Sequence, residues 1–99
     1  MKHSIFGIDQ MGTFNGVKPK QWYNFGEASK ILNLPKIGRN KLLAICRDLQ
    51  ILSEVNWYMD PYWDMPEHFM MNPINGVNMP LISSKGIKFL QEKFPDYFI

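Results

Sequence analysis

Apolar positions recur at helical spacing from Ile37 to Leu52, where Leu42, Ile45, Cys46 and Leu49 gather on one side at about 100° per residue. Asn40, Lys41, Ala44, Arg47 and Asp48 fall on the other side. This pattern predicts an amphipathic helix that opens after Gly38 and turns one face to a core. Its polar face carries the residue types a DNA-reading helix needs. Arg and Lys reach guanine edges or phosphates, Asn pairs with adenine, and a small Ala lets the backbone come close. An ordinary solvated helix face has the same pattern, so the stripe gains weight only from its neighbours.

Upstream, Asn24-Phe25-Gly26-Glu27 has the form of a capping box, with the Asn24 side chain accepting from the Glu27 amide and the Glu27 carboxylate turning back. A short helix from Glu27 to Asn33 follows, with Ala28, Ile31 and Leu32 apolar, and Asn33 and Pro35 end it. Helix, tight turn and helix in this order make a helix-turn-helix.

Downstream, Gln50 to Ser53 ends the second helix, and Ile51-Leu52 is a candidate strand start. Residues 54–79 are rich in aromatic residues, methionine and proline, and the prolines exclude a central strand or a continuous helix. Asn75-Gly76 is a hairpin-turn signal between candidate strands Phe69 to Ile74 and Val77 to Ile82. A hairpin in that place is a wing. Ser83-Ser84-Lys85-Gly86 caps a last helix to about Phe94, on which Gly86, Phe89, Leu90, Lys93 and Phe94 share a face. Glycine in its first turn allows close packing. Pro95 ends that helix and leaves Asp96 to Ile99 as an aromatic tail.

The fold class this predicts is α+β: a winged helix-turn-helix, with a β-hairpin wing (about residues 54–82) and a C-terminal helix. Residues 21–99 form that domain. Residues 1–20 are an N-terminal arm or short strand, with Ile5, Phe6 and Ile8 as strand candidates and Lys18 and Lys20 making the arm basic.

Composition narrows the function. The 99 residues, 45% hydrophobic and 20% charged, fit one globular domain rather than a disordered chain. No apolar run approaches the roughly 18 residues of a transmembrane span, and the start has no signal-peptide pattern, so a cytoplasmic protein with no membrane association is expected. Cys46, the single cysteine, lies on the apolar helix face as a small core residue. Net charge is only +2 but uneven: residues 1–50 carry eight Lys or Arg against three acids, and residues 51–99 three against six. A basic half that meets an anionic partner fits this asymmetry, and so does head-to-tail self-association.

Several stretches then resemble the KilAC-type C-terminal domain of phage antirepressor proteins. Tyr23 to Lys30 is similar to the family's opening aromatic, cap and Glu-x-Ala-Lys turn, with Ser29 where Ala is usual. Gly38-Arg39-Asn40-Lys41-Leu42 matches its Gly-Arg-Asn-Lys-Leu stretch, and Cys46-Arg47 stands where a Leu-Arg pair is usual. Leu81 to Gly86 is similar to its strand and Thr-x-Lys-Gly turn, with Ser83 in place of Thr. The likeness covers roughly residues 21–94 and departs in the wing, where Pro61-Tyr62-Trp63 and Glu67-His68-Phe69 replace the family's Pro-x-Gln and Gly-aromatic-Phe segments. It implies a winged-helix domain of a phage or mobile-element transcription regulator, either standing alone or cut from a longer chain.

On this reading double-stranded DNA is the partner, and the helix 38–49 enters the major groove with its N-terminal residues nearest the bases. Asn40 and Lys41 are first contacts. Arg39 points to the side of the stripe, where it either joins them or braces the first helix. Arg47 is a phosphate contact further along, Lys36 reaches the backbone from the turn, and Lys85 meets a phosphate at the last helix start. No cofactor or metal is expected: His3 and His68 have no Cys or His partner at ligand spacing, and phosphate-binding and nucleophile motifs are missing. Asp60, Asp64 and Glu67 read as solvated acids or caps, so a non-enzyme is expected.

The segment 54–70 has two readings. In one, Trp57, Trp63 and Phe69 close the small core under the wing. In the other, Trp57, Tyr62, Trp63 and Phe69 form a surface for a repressor protein or a second copy of the chain, and the whole domain is a protein-interaction module.

Overall fold

Tyr23–Asn24 form a short strand, β1, that runs straight into helix α1 (Phe25–Leu32) in the computed structural model, which describes residues 15–99. The capping box is formed as the sequence predicts. Asn24 Oδ1 accepts from the Glu27 amide at 2.8 Å, and Glu27 Oε1 accepts from the Asn24 amide at 3.0 Å. At the other end Asn33 takes a left-handed conformation with φ 52° and donates its amide to Ser29 O. Pro35 then forbids continuation, and the chain turns into helix α2 (Arg39–Asp48).

After α2 come a 3-10 turn (Tyr62–Asp64), strands β2 (Phe69–Met71) and β3 (Pro80–Ile82), and helices α3 (Ser84–Lys93) and α4 (Pro95–Phe98). The described residues thus make a small α+β fold of four helices and a three-stranded antiparallel sheet in the order β1-β3-β2. Tyr23 and Phe69 both sit opposite Ile82 in register, and all three are buried. Pro80 is tolerated because it opens β3, where no ladder amide is needed.

The hairpin between β2 and β3 turns at Asn75 (φ 52°) and Gly76 (φ 77°), the paired positive φ of a two-residue turn, closed by an isolated bridge between Ile74 and Val77. Regular pairing is shorter than the predicted strands because residues 72–78 lie at the surface with few apolar anchors. The predicted wing of 54–82 also divides: residues 54–67 are a separate loop that contains the 3-10 turn, and the hairpin proper is 69–82.

Helix α3 begins as predicted, with Ser83 Oγ accepting from the Gly86 amide at 3.1 Å. A Cβ on Gly86 would collide with the His68 carbonyl oxygen and come within 2.6 Å of Ile82 Cγ1, so glycine is what lets α3 lie against the sheet.

Four expectations need correction. Ile51 and Leu52 form no strand; both are fully buried, and Leu52 makes only a single bridge to Tyr58. The C-terminal segment is no loose tail, since α4 drives Phe98 to 0% exposure and Gln91 Nε2 of α3 donates to the Phe98 carbonyl at 3.2 Å. Residues 15–20 do not behave as a free arm: Val17 is buried, and Asn15 Nδ2 donates to Ile31 O at 2.8 Å. Trp57 and Trp63 do not close the core. Tyr58, Tyr62 and Phe69 do so, with Phe69 4.8 Å from the Tyr58 ring and 5.7 Å, edge-on, from the Tyr62 ring. The strand candidates Ile5, Phe6 and Ile8 lie outside the described residues. No helix among the described residues is long and apolar enough to cross a membrane.

Candidate nucleic-acid interface

The surface of interest is built by α1, the turn and α2. Helix α2 is fixed by burying Leu42, Leu43 and Cys46, while Ile45 and Leu49 are only half-buried. The helix is therefore rolled toward Leu43 relative to the predicted arc of Leu42, Ile45, Cys46 and Leu49. The roll carries Arg47 toward the core edge and leaves Asn40, Lys41 and Asp48 on the open face, with Ala44 half-covered.

Each predicted contact residue has a distinct setting. Asn40 and Lys41 are exposed in the first turn of α2. Arg39 lies beside the first helix, its Cδ 3.9 Å from the Cβ position of Gly26 in α1, while its Nη1 donates to Asn40 Oδ1 at 3.1 Å. Lys36 is exposed at the crest of the turn with φ 60°, next to the bond from the Ile37 amide to Leu34 O. The N-cap of α2 is Gly38, which offers no side-chain acceptor, so the first amides of the helix stay open toward solvent.

Arg47 is a brace. Its Nη1 donates to Asn56 Oδ1 at 2.7 Å, which ties the last turn of α2 to the loop after it. Lys85 lines a different groove, with Lys20, Gln21 and Trp22, and pairs with Glu67 at 2.9 Å, both side chains being well exposed. That ammonium holds the Glu67 carboxyl below its ordinary range. Lys20, expected as part of a basic arm, is likewise engaged, by Glu27.

Sequence reasoning passed over Lys30. It is exposed in the last turn of α1 and lines a groove with Ser29, Leu34, Ile37 and Arg39 between the two helices. The available signal was its position two residues beyond Ala28 on the exposed side of α1. Lys30, Lys36, Arg39 and Lys41 have no carboxylate partner among the described residues. The one acid on the open face of α2, Asp48, stands at its far end, so the positive field is strongest over the turn and the start of α2.

Of the predicted partner-contact residues, Tyr62 and Phe69 are buried and cannot meet a partner, whereas Trp57 and Trp63 are 36% and 53% exposed with ring centroids 6.0 Å apart.

Nothing among the described residues points to enzymatic activity. Cys46 is fully buried, and burial, only slightly offset by Arg47, pushes its thiol up to about 12, so it stays protonated at neutral pH. No group of three or more His, Cys, Asp or Glu among the described residues could hold a metal ion. No family model, curated protein or solved structure matches the chain.

Proposed function

We propose that the chain is a winged helix-turn-helix DNA-binding domain of a phage or mobile-element regulator, similar to the antirepressor KilAC type, with α2 as its reading helix. It would act in the cytoplasm, on double-stranded DNA. The observation that carries this is the cationic surface of the turn and α2: Lys36, Arg39 and Lys41 are exposed, unpaired with acids among the described residues, and set around an open helix N-terminus.

The order of elements supports it. A strand, two helices joined by a tight turn, and a hairpin that pairs back onto that strand is the arrangement expected of a winged helix. In this reading Asn40 and Lys41 meet base edges, Arg39 orients Asn40 through their hydrogen bond, and Lys30 and Lys36 meet the phosphate backbone. The wing adds little charge, since residues 69–82 contain no Lys or Arg.

Titration of the full chain with random duplex DNA, followed by fluorescence anisotropy at several salt concentrations, tests the reading. If each of the four cations of this surface, Lys30, Lys36, Arg39 and Lys41, displaces one counterion, the log–log salt slope is about −3.6. Absence of binding at low salt and high protein concentration rejects it.

A further inference from the structure

The loop between α2 and β2 presents a face that DNA binding does not use. Val55, Trp57, Met59 and Trp63 are 65%, 36%, 39% and 53% exposed. The two tryptophans stack loosely, and the Trp63 amide donates to Met59 O at 3.0 Å, so they form one patch. The patch is anchored beneath: Tyr58, between Trp57 and Met59, is buried and donates its hydroxyl to Leu81 O at 2.7 Å, and Arg47 holds Asn56 from below. Asn78 Nδ2 donates to Val55 O at 2.9 Å and joins the patch to the hairpin. A rigid mount for large apolar side chains in water is a feature of interaction surfaces.

Charge decides what fits. Residues 54–67 contain four acids and no Lys or Arg. Glu67 is paired with Lys85, but Glu54, Asp60 and Asp64 are exposed and have no ion-pair partner among the described residues. These acids repel a phosphate backbone, which excludes stacking on nucleic acid here. They also oppose a symmetric contact of the patch with its copy, which would bring the acids of one patch against those of the other. Large exposed apolar side chains are absent from the cationic α1-turn-α2 surface, so that basic face of a second copy does not complement the patch.

We propose that this patch docks a basic amphipathic segment of another protein, with Trp57 and Trp63 taking its apolar side chains and Glu54, Asp60 and Asp64 its flanking Lys or Arg. None of its exposed side chains belongs to the turn or to the first turn of α2, so DNA and this partner can be held together.

The test uses the full chain and two designed helical peptides with the same leucine face, one flanked by Lys and Arg and the other by Asp and Glu at the same positions. The basic peptide binds, shifts tryptophan emission to the blue and weakens with salt, while the acidic peptide does not bind. Trp63→Ala and the double variant Asp60→Asn/Asp64→Asn each weaken binding by about tenfold or more with unchanged thermal unfolding. Glu92→Gln, an exposed acid elsewhere, and Lys41→Glu leave it unchanged. Equal binding of both peptides, binding of neither, or equal weakening by Glu92→Gln overturns the proposal. So does sedimentation that shows a dimer broken by Trp63→Ala, which assigns the patch to a second copy. Because Lys41→Glu weakens DNA binding under the proposed function and spares this patch, failure of either reading is seen separately.

Discussion

Arg47 and Asn56 are joined across nine residues by one hydrogen bond, Nη1 to Oδ1 at 2.7 Å, and Asn56 holds a left-handed φ of 61° to make it. The contact turns a residue of α2 into a fixture of the loop beyond it. Arg47→Met keeps the apolar stem and removes the head group. It is expected to cost about 1 kcal/mol in chemical denaturation, a middling value for a partly exposed bond to a charged group. In the DNA titration the salt slope is expected to stay where it was if the bond to Asn56 keeps the guanidinium off the phosphates. A slope reduced by about one would return Arg47 to the phosphate contacts.

The end of α2 carries a removable strain. Gln50 has φ 61°, its amide donates to Arg47 O at 3.0 Å, and the Ile51 amide donates to Cys46 O at 2.8 Å. This is a Schellman closure with glutamine where glycine is favoured. The left-handed conformation costs a non-glycine residue about 1–2 kcal/mol, and glycine's extra chain entropy returns about 0.5–1 of it. Gln50→Gly is therefore expected to stabilise the fold by about 0.5–1 kcal/mol, read as a higher denaturation midpoint with an unchanged m-value.

That closure marks the limit of what the chain's pattern makes legible. Local signals carried both helix starts that have side-chain caps, the Asn75-Gly76 turn and the glycine contact of α3, because each is decided within a few residues. The roll of α2 was not legible. Leu42 and Leu43 are both apolar, and only the packing of α1 and of the buried Ile51-Leu52 corner decides that Leu43 goes in and Ile45 half out. The aromatic loop failed for the same reason. Composition cannot say which of Trp57, Tyr58, Tyr62 and Trp63 turn inward. The two tyrosines do, one of them giving its hydroxyl to the Leu81 carbonyl, while the larger tryptophans stay at the surface. Among the candidate site residues, Asn40 and Lys41 on the open face of α2 followed from helical spacing, but the pairing of Lys85 with Glu67 joins residues 18 apart and has no local signature.

Gly86→Ala tests the close approach of α3 to the strand. Alanine is better than glycine by about 1 kcal/mol in a helix interior, so propensity alone predicts a gain. The new Cβ, however, meets the His68 carbonyl and Ile82, and a backbone carbonyl cannot swing aside. Overpacking of this kind costs about 1–3 kcal/mol and outweighs the gain. A net loss in thermal unfolding is expected, with α3 amides the first to lose hydrogen-exchange protection.

Glu27 gives the fold a pH dependence. Burial works against its charged form, but the Lys20 ammonium, the Asn24 amide and the charge of Lys30 together hold the carboxyl below its ordinary 4.5. A folded-state value below the unfolded one means that the stabilisation is present above the unfolded pKa and is lost as the pH falls through the folded one. Glu27→Gln keeps the capping hydrogen bond and removes the charge. It is expected to cost about 0.5 kcal/mol at neutral pH, a surface-pair magnitude, and to converge with the parent chain in acid. A constant difference across that range would show that the cap geometry, and not the ion pair with Lys20, was disturbed.

Lys36 allows the charge of the turn to be separated from its shape. Its φ of 60° is one that glycine adopts without strain, so Lys36→Gly removes an ammonium and leaves the turn at least as stable. If the turn meets the phosphate backbone, this variant binds random duplex more weakly at every sequence, with a salt slope shallower by about one, and a melting temperature that does not fall. Lys41→Gln is expected to flatten the slope to the same extent and, placed nearer the bases, also to change the preference among selected sites. Lys85→Gln supplies the contrast. Its ammonium is already engaged by Glu67 and lines a different groove, with Lys20, Gln21 and Trp22, so neither slope nor affinity is expected to change. Equal effects from all three lysines would mean that the chain binds DNA through diffuse charge and that α2 has no privileged role. A loss confined to Lys36 and Lys41 locates the contact on the turn and the first turn of the helix, where the open amides of α2 add to the field that the lysines create.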